Sequence, residues 1–385
     1  MKAHRTLAVV SLLGLAIAGG CQAIGNAPEE VVIGADLELT GPAADIGQVY
    51  AQALRLKVEQ VNQEGLLHGR RLTLLLRDNR SDAATSLTNI NALAADKSVS
   101  ALITGVCSEC ALAAVKVINK ARIPTVSLAL PTAVASPAAE RRYLFKLAPN
   151  VADDAAVLAT EMRNATVKTV ALVASDDDLG HDSAQAMASN AQKAGLEVLS
   201  TTYVGSTPEK VTAAATEIAE SEPDAVVVLA FAATATQIGK DLRDLQYKGR
   251  LFLGGASADS LFLTGAAASA LDGAGLVFTP TLVSDDIIAT SPAKATRMAW
   301  FRDYLSKYGT YAAYASFPAD AVQLFVQAIN QVDGTDREAL RTAIETSNMD
   351  GLSGPIRLTP ANHSGLMPQA VTMLVAANGR WRLAS

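Results

Sequence analysis

Apolar runs of five to eight residues alternate with helix-periodic segments along nearly the whole chain, and few folds accommodate that rhythm. Val31 to Leu39, Leu72 to Leu76, Ser100 to Val106 and Ile123 to Leu128 read as buried strands rich in Val, Ile and Leu. Such continuous runs, without in-out alternation, are what a parallel sheet covered on both faces requires. Between them lie segments such as Val49 to Asn62, where Leu54, Val58 and Val61 share one helical face. Strand–helix–strand repetition demands crossover helices and predicts an α/β fold with parallel sheets.

The rhythm restarts after Asn150. A helix over Ala152 to Arg163 precedes strands at Thr169 to Ala174, Leu196 to Val204, Ala225 to Phe231, Leu251 to Leu253 and Leu276 to Phe278. Helices are expected from about Ala184 to Ala194 and through Glu217 between the first of these. Later helices, Pro292 to Tyr308 and Asp320 to Val332, have no strand between them, and Ile356 to Leu358 and Ala370 to Val375 look like strands returning to a sheet. Two sheets in succession, in a chain longer than a single core supports, predict two lobes.

The first twenty residues read as a signal peptide and stand apart from the fold. Lys2 and Arg5 precede an apolar stretch from Thr6 to Ala18, too short to span a bilayer as a helix. Ala18-Gly19-Gly20-Cys21 resembles a lipobox, which makes Cys21 the expected lipidation site and new N-terminus. Loss of that segment makes the whole-chain charge of −6 more negative by two. A mildly acidic chain without a basic run argues against nucleic-acid binding.

Motifs for catalysis are missing. There is no Gly-rich phosphate loop ending in Lys-Ser/Thr, no G-x-S-x-G elbow and no dinucleotide fingerprint. His68, His181 and His363 are not at metal-ligand spacing, and Asp176-Asp177-Asp178 reads as a solvated loop at a strand end. Neither a metal nor a cofactor is expected. Cys107-Ser108-Glu109-Cys110 follows a strand and opens a helix; a disulfide, two free thiols and a redox motif are the alternatives. Ser108 is placed to cap that helix, leaving backbone N–H groups that could receive a carboxylate.

From Val31 onward the chain resembles type I periplasmic binding proteins of the leucine/isoleucine/valine-binding group. The resemblance rests on Ile33-Gly34, Leu39-Thr40-Gly41-Pro42, Gly47, Val61 to Gly69, Arg77 to Asp82, Ile123 to Ser127, Tyr143 to Lys146, Gln246 to Gly249 and Gly354 to Leu358. It implies two Rossmann-like lobes with parallel sheets joined by three crossover segments, near 147–150, Pro280 and Asp350. The lobes would be 30–147 with 281–349, and 148–280 with 350–385. It further implies a non-enzymatic, lipid-anchored periplasmic receptor that hands a small solute to an ABC permease in the inner membrane.

The resemblance carries over residue by residue only in part. Ser108, with Glu109 beside it, matches the carboxylate-holding serine, but the second such position falls in Ala129-Leu130-Pro131-Thr132, where Leu130 and Pro131 break the pattern. The acidic receiver of an ammonium group would lie near Ala256-Ser257, neither of which is charged, with Asp259 close but offset. Tyrosines of the group align with Ile46 and Leu179, leaving Phe231 as the aromatic candidate. The disulfide partner that the resemblance implies near Ser81 is absent, which leaves a Cys107–Cys110 pairing as one of the alternatives above. An amino acid, an amide or a small organic acid is the expected solute. The alternative is a regulatory or structural lipoprotein that binds a protein partner and whose cleft is filled by its own side chains.

Overall fold

A computed structural model describes residues 29–205, 207–288 and 290–384. Cys21 and the signal segment lie outside these residues.

The first sheet holds β1 (Glu30–Leu37), β2 (Arg71–Asp78), β3 (Val99–Thr104), β4 (Thr125–Ser127) and β5 (Leu144–Lys146), in the order β2-β1-β3-β4-β5. Every pairing in it is parallel. The connections are α1 (Ala44–Gln63), α2 (Ala83–Ala95) and α3 (Ser108–Ala121). In α3 the buried residues Ala111, Ala114, Val115 and Ile118 fall on one stripe, as a helix lying on a sheet requires.

The second sheet receives β6 (Thr169–Ser175), β7 (Glu197–Val204), β8 (Ala225–Leu229), β9 (Arg250–Leu253) and β10 (Gly275–Phe278). Around it run α4 (Val151–Asn164), α5 (Asp178–Ala194), α6 (Pro208–Ser221), α7 (Ala232–Asp244) and α8 (Ala266–Ala270). The chain then leaves for α9 (Pro292–Tyr308), α10 (Ser316–Val332) and α11 (Arg337–Glu345) and for the hairpin β11 (Asn348–Asp350) and β12 (Pro355–Arg357). It returns through β13 (Thr372–Ala377), antiparallel to β10, and β14 (Arg380–Leu383), antiparallel to β13, giving the order β14-β13-β10-β9-β8-β6-β7. The fold is thus α/β with two lobes, each built on one sheet, and three passages between them. The second sheet is mixed, not all-parallel.

Several expectations are corrected. The Ile356 strand pairs with β11 in a separate two-stranded hairpin, not with a main sheet. Strand β2 is an edge and buries only Leu72 fully, and β7, an edge of the second sheet, alternates between exposed and half-buried residues up to the buried Val204. An edge strand needs less cover than a central one such as β3, which is buried throughout. Helix α5 begins at Asp178, well before Ala184, because the Asp177 carboxylate accepts the Gly180 N–H at 2.8 Å and caps it. Gly195, at φ 75°, supplies the left-handed residue that ends it.

Helices α9 and α10 close over α1: the Tyr304 and Tyr308 hydroxyls donate to Gln52 at 3.0 and 2.9 Å. Half-buried Arg337 opens α11 and donates to the carbonyls of Ala94, Asp96, Val99 and Ala121, at 2.7–3.4 Å. It therefore gathers the carbonyl ends of α2 and α3, where positive charge is favoured. Arg337→Ala is expected to cost about 2–3 kcal/mol in urea denaturation, and Arg337→Lys to recover little, because a point donor cannot span the fork. Equal stability of Arg337→Ala and wild type would remove this clamp from the account.

Candidate functional site

Strand C-termini and helix N-termini of both lobes face one another, the usual place for ligands in open α/β sheets. On the first lobe, the polypeptide leaving β1 carries Glu38, which is fully buried. Its carboxylate accepts the N–H groups of Val106 at 3.0 Å and Cys107 at 3.2 Å and the Asn79 amide at 3.1 Å. Gly105 allows that approach, since a Cβ there would come within 1.9 Å of Glu38 Oε2. Burial pushes the Glu38 carboxyl above the usual glutamate range.

Two residues back, Asp36 accepts from Ser86 Oγ at 2.5 Å, Asn89 at 2.8 Å and Asn79 at 3.3 Å. Burial pushes it from 3.8 up to about 6. Folding therefore favours its proton. That contribution is full below pH 3.8 and is lost as the pH rises through about 6. The denaturation midpoint is expected to fall across that window in wild type, and to fall less in Asp36→Asn; parallel profiles would remove Asp36 as the source.

Cys107 and Cys110 are joined by a disulfide. Cys107, not Ser108, is the N-cap of α3, its Sγ accepting the Cys110 N–H at 3.1 Å. Ser108 is the first helical residue and half-buried, and Glu109 is exposed. The N–H groups of Val106, Cys107 and Cys110 are thus engaged by the chain itself. Glu38, Cys107 and Cys110 bring potential metal ligands within 4.8 Å of one another, but the sulfurs are committed to each other.

On the opposing wall, Leu130 is 1% exposed and packs with Ala148, Val151, Leu179 and Ala256, with Phe231 half-buried against them. Leu130 hangs from the segment after β4, whereas Leu179 lies in α5 and Ala256 follows β9. A first-lobe side chain therefore fills a second-lobe pocket. The Thr132 N–H donates to Asp182 at 3.0 Å beside it. The cavity that remains, lined by Leu130, Val151, Asp154, Leu179, Ser183 and Ala256 among others, is about 10 Å³, no larger than one water.

The other expected residues are dispersed. Ala129 turns away into the cluster of Val115, Ile118 and Val134. Ser257 is buried and donates to the Ala230 carbonyl at 2.7 Å. Asp259 is exposed, and its carbonyl accepts the Ala313 N–H at 2.6 Å. Ile46 sits half-buried at the edge of the main core.

Besides Asp36 and Glu38, four residues were not singled out for a functional role in the sequence. The Tyr314 hydroxyl donates to the carbonyls of Gly255 and Ala256 at 3.0 and 3.1 Å, and its ring meets Tyr50 edge-on at 6.2 Å. Tyr50 in turn donates to the Leu128 carbonyl at 3.1 Å. Lys146, fully buried, donates to the carbonyls of Ala148 and Pro149 at 2.8 Å and to Asn150 Oδ1 at 3.0 Å. Burial pulls it down to about 7. Asp154 is 6% exposed, and its Oδ2 accepts the Gly255 N–H at 3.2 Å. Its Oδ1 has no hydrogen-bond partner among the described residues, and burial pushes the group up to about 7. The signal available in the sequence was charge inside apolar context: Asp36 and Glu38 within the β1 run, Lys146 beside Phe145.

Two sheeted lobes with facing strand ends and three connections define a bilobal solute-binding architecture. The sequence profile of the family described as periplasmic binding protein matches residues 30–380, and the chain belongs to that family. Its fold is similar to that of an extracellular ligand-binding receptor from Rhodopseudomonas palustris HaA2, at 21% identity, 92% of this chain, 99% of that one and a TM-score of 0.82. It is also similar to a leucine-binding protein from Thermotoga maritima (20% identity, 92% and 98% covered, TM-score 0.78). A solute-binding protein of an ABC transporter from R. palustris, solved in complex with benzoate, matches at 21% identity, with 92% and 95% covered and a TM-score of 0.79. At these identities the likeness establishes the fold.

Proposed function

We propose that this protein is a non-enzymatic extracytoplasmic receptor that binds a small solute between its lobes and delivers it to an ABC permease in the inner membrane. The carrying observation is the interlobe contact at Leu130, where a first-lobe side chain occupies an apolar pocket of the second lobe. In this reading the lobes span 30–147 with 281–349 and 148–280 with 350–385, and Cys21 carries the lipid that holds the chain at the periplasmic membrane surface. Hinge motion about the three connections would withdraw Leu130 and open the pocket.

Thermal unfolding of the full chain against amines, amino acids, amides and small organic acids tests the reading. A solute at about a hundred times its dissociation constant stabilises by about 2.7 kcal/mol, a shift of several degrees. One observation favours a second reading, a lipoprotein that uses the fold to bind a protein partner: the pocket is already filled by Leu130, to about 10 Å³. A folded protein that shifts with no member of the panel would favour it.

A further inference from the structure

We infer that the solute is an apolar primary amine, its ammonium group received by Asp154 and its hydrocarbon body replacing Leu130 in the second-lobe pocket. This inference rests on the solute-receptor reading above and deepens it to a chemical class.

The cationic half of the argument is Asp154. It lines the cavity beneath Leu130 together with Ser183. One carboxylate oxygen holds the Gly255 N–H and the other holds nothing among the described residues. A buried, unpartnered carboxylate oxygen is costly and calls for a donor. Lys146 is the nearby cation that acts on Asp154 electrostatically. Its three protons are committed to Ala148, Pro149 and Asn150, so it has no donor left to give. An incoming ammonium supplies the missing donor.

The apolar half is the wall of Val151, Ala155, Leu179 and Leu229 around the Leu130 side chain. Leu130 is carried by the first lobe, so lobe opening clears the pocket without unfolding the second lobe. The third point excludes a carboxylate on the same solute. At the start of α3 the amides of Val106 and Cys107 already hold Glu38, and a solute carboxylate brought there would face a like charge in a buried setting. An amine without an acid group satisfies all three observations; an apolar α-amino acid satisfies the first two and fails the third.

The test is isothermal titration of the full chain with 3-methylbutylamine, 3-methylbutanol, leucine and 4-methylpentanoate. The expected result is that the amine binds most tightly, and that Asp154→Asn weakens it by roughly 10- to 100-fold, the loss of a charged hydrogen bond. Leu130→Ala should tighten it, because no plug has then to be displaced. The amine–alcohol comparison on the unsubstituted chain does not depend on any variant folding. Binding of leucine or 4-methylpentanoate in preference to the amine would overturn the assignment and leave the solute receptor standing. Equal amine affinity in wild type and Asp154→Asn would also overturn it. Failure of the amine to bind both wild type and Leu130→Ala overturns it as well, and only silence across the wider panel counts against the receptor reading.

Discussion

Replacement of Asp320 by alanine is expected to cost about 3–5 kcal/mol, the largest loss from any single polar side chain in the interlobe connections. Asp320 is buried within α10, where a carboxylate has no propensity to sit. It is held there by three donors: the N–H groups of Leu352 and Ser353 at 2.6 and 2.8 Å and the Ser353 hydroxyl. Gly351 admits it, since a Cβ at that position would meet Asp320 Oδ2 at 2.8 Å. The same turn receives Arg297 at the Gly351 carbonyl and Thr281 at the Leu352 carbonyl. Asp320 thus fixes the third connection and, through Thr281, ties it to the second. Removing the carboxylate strands two buried N–H groups and a hydroxyl, and leaves Lys57 without the carboxylate that favours its charge. Asp320→Asn retains an acceptor and is expected to lose less. Guanidinium denaturation measures both; a cost for Asp320→Ala below about 1 kcal/mol would show that the connections are held by packing alone.

Most of the fold was legible because its elements are decided by local patterning. The central strands β1, β3, β6 and β8 are long Val, Leu, Ile and Ala runs that only a covered sheet tolerates, and α4 and α10 follow helical spacing. Where the reading failed, tertiary position decided. Nothing in the sequence of β2 or β7 says that it is an edge; strand order does. Helix α11 is nine residues long and its start depends on the Asp336 cap, a signal too short to stand out. The hairpin β11–β12 consumes Ile356 because residues 351–354 turn back on Asp320 before the main sheet is reached.

The site was less legible for the same reason. Resemblance placed Ser108, Leu130, Leu179 and Phe231 near the facing strand ends, and the structure brings the last three together. Whether a residue at a strand end faces the cleft or the core turns on a single step of the chain. Leu130 points across the cleft and Ala129, its neighbour, into the α3 cluster. The polar groups that decide chemistry, Glu38 and Asp154, lie inside apolar runs or helix starts, where composition treats them as noise. Their weight comes from partners distant in sequence, 68 residues from Glu38 to Val106 and 101 from Asp154 to Gly255.

Glu38→Ala is the second large expected effect, and it bears on function as well as stability. The substitution orphans the buried N–H groups of Val106 and Cys107 and one proton of Asn79, at an expected cost of about 3 kcal/mol. Part of the gross loss is offset, because burial already disfavours the Glu38 charge. The freed amides then sit at the N-terminus of a 14-residue helix without the carboxylate that held them, an anion site in its simplest form. Added acetate should therefore restore stability to the variant, by about 1.4 kcal/mol at ten times its dissociation constant. Wild type, whose own carboxylate fills the place, should not respond. Thermal unfolding in acetate against chloride at matched ionic strength separates the two. Acetate acting equally on both proteins would mean a general salt effect. A variant as stable as wild type would mean that Glu38 does not hold these amides in solution. Selective rescue of the variant would establish that the chain carries its own substitute for a solute carboxylate.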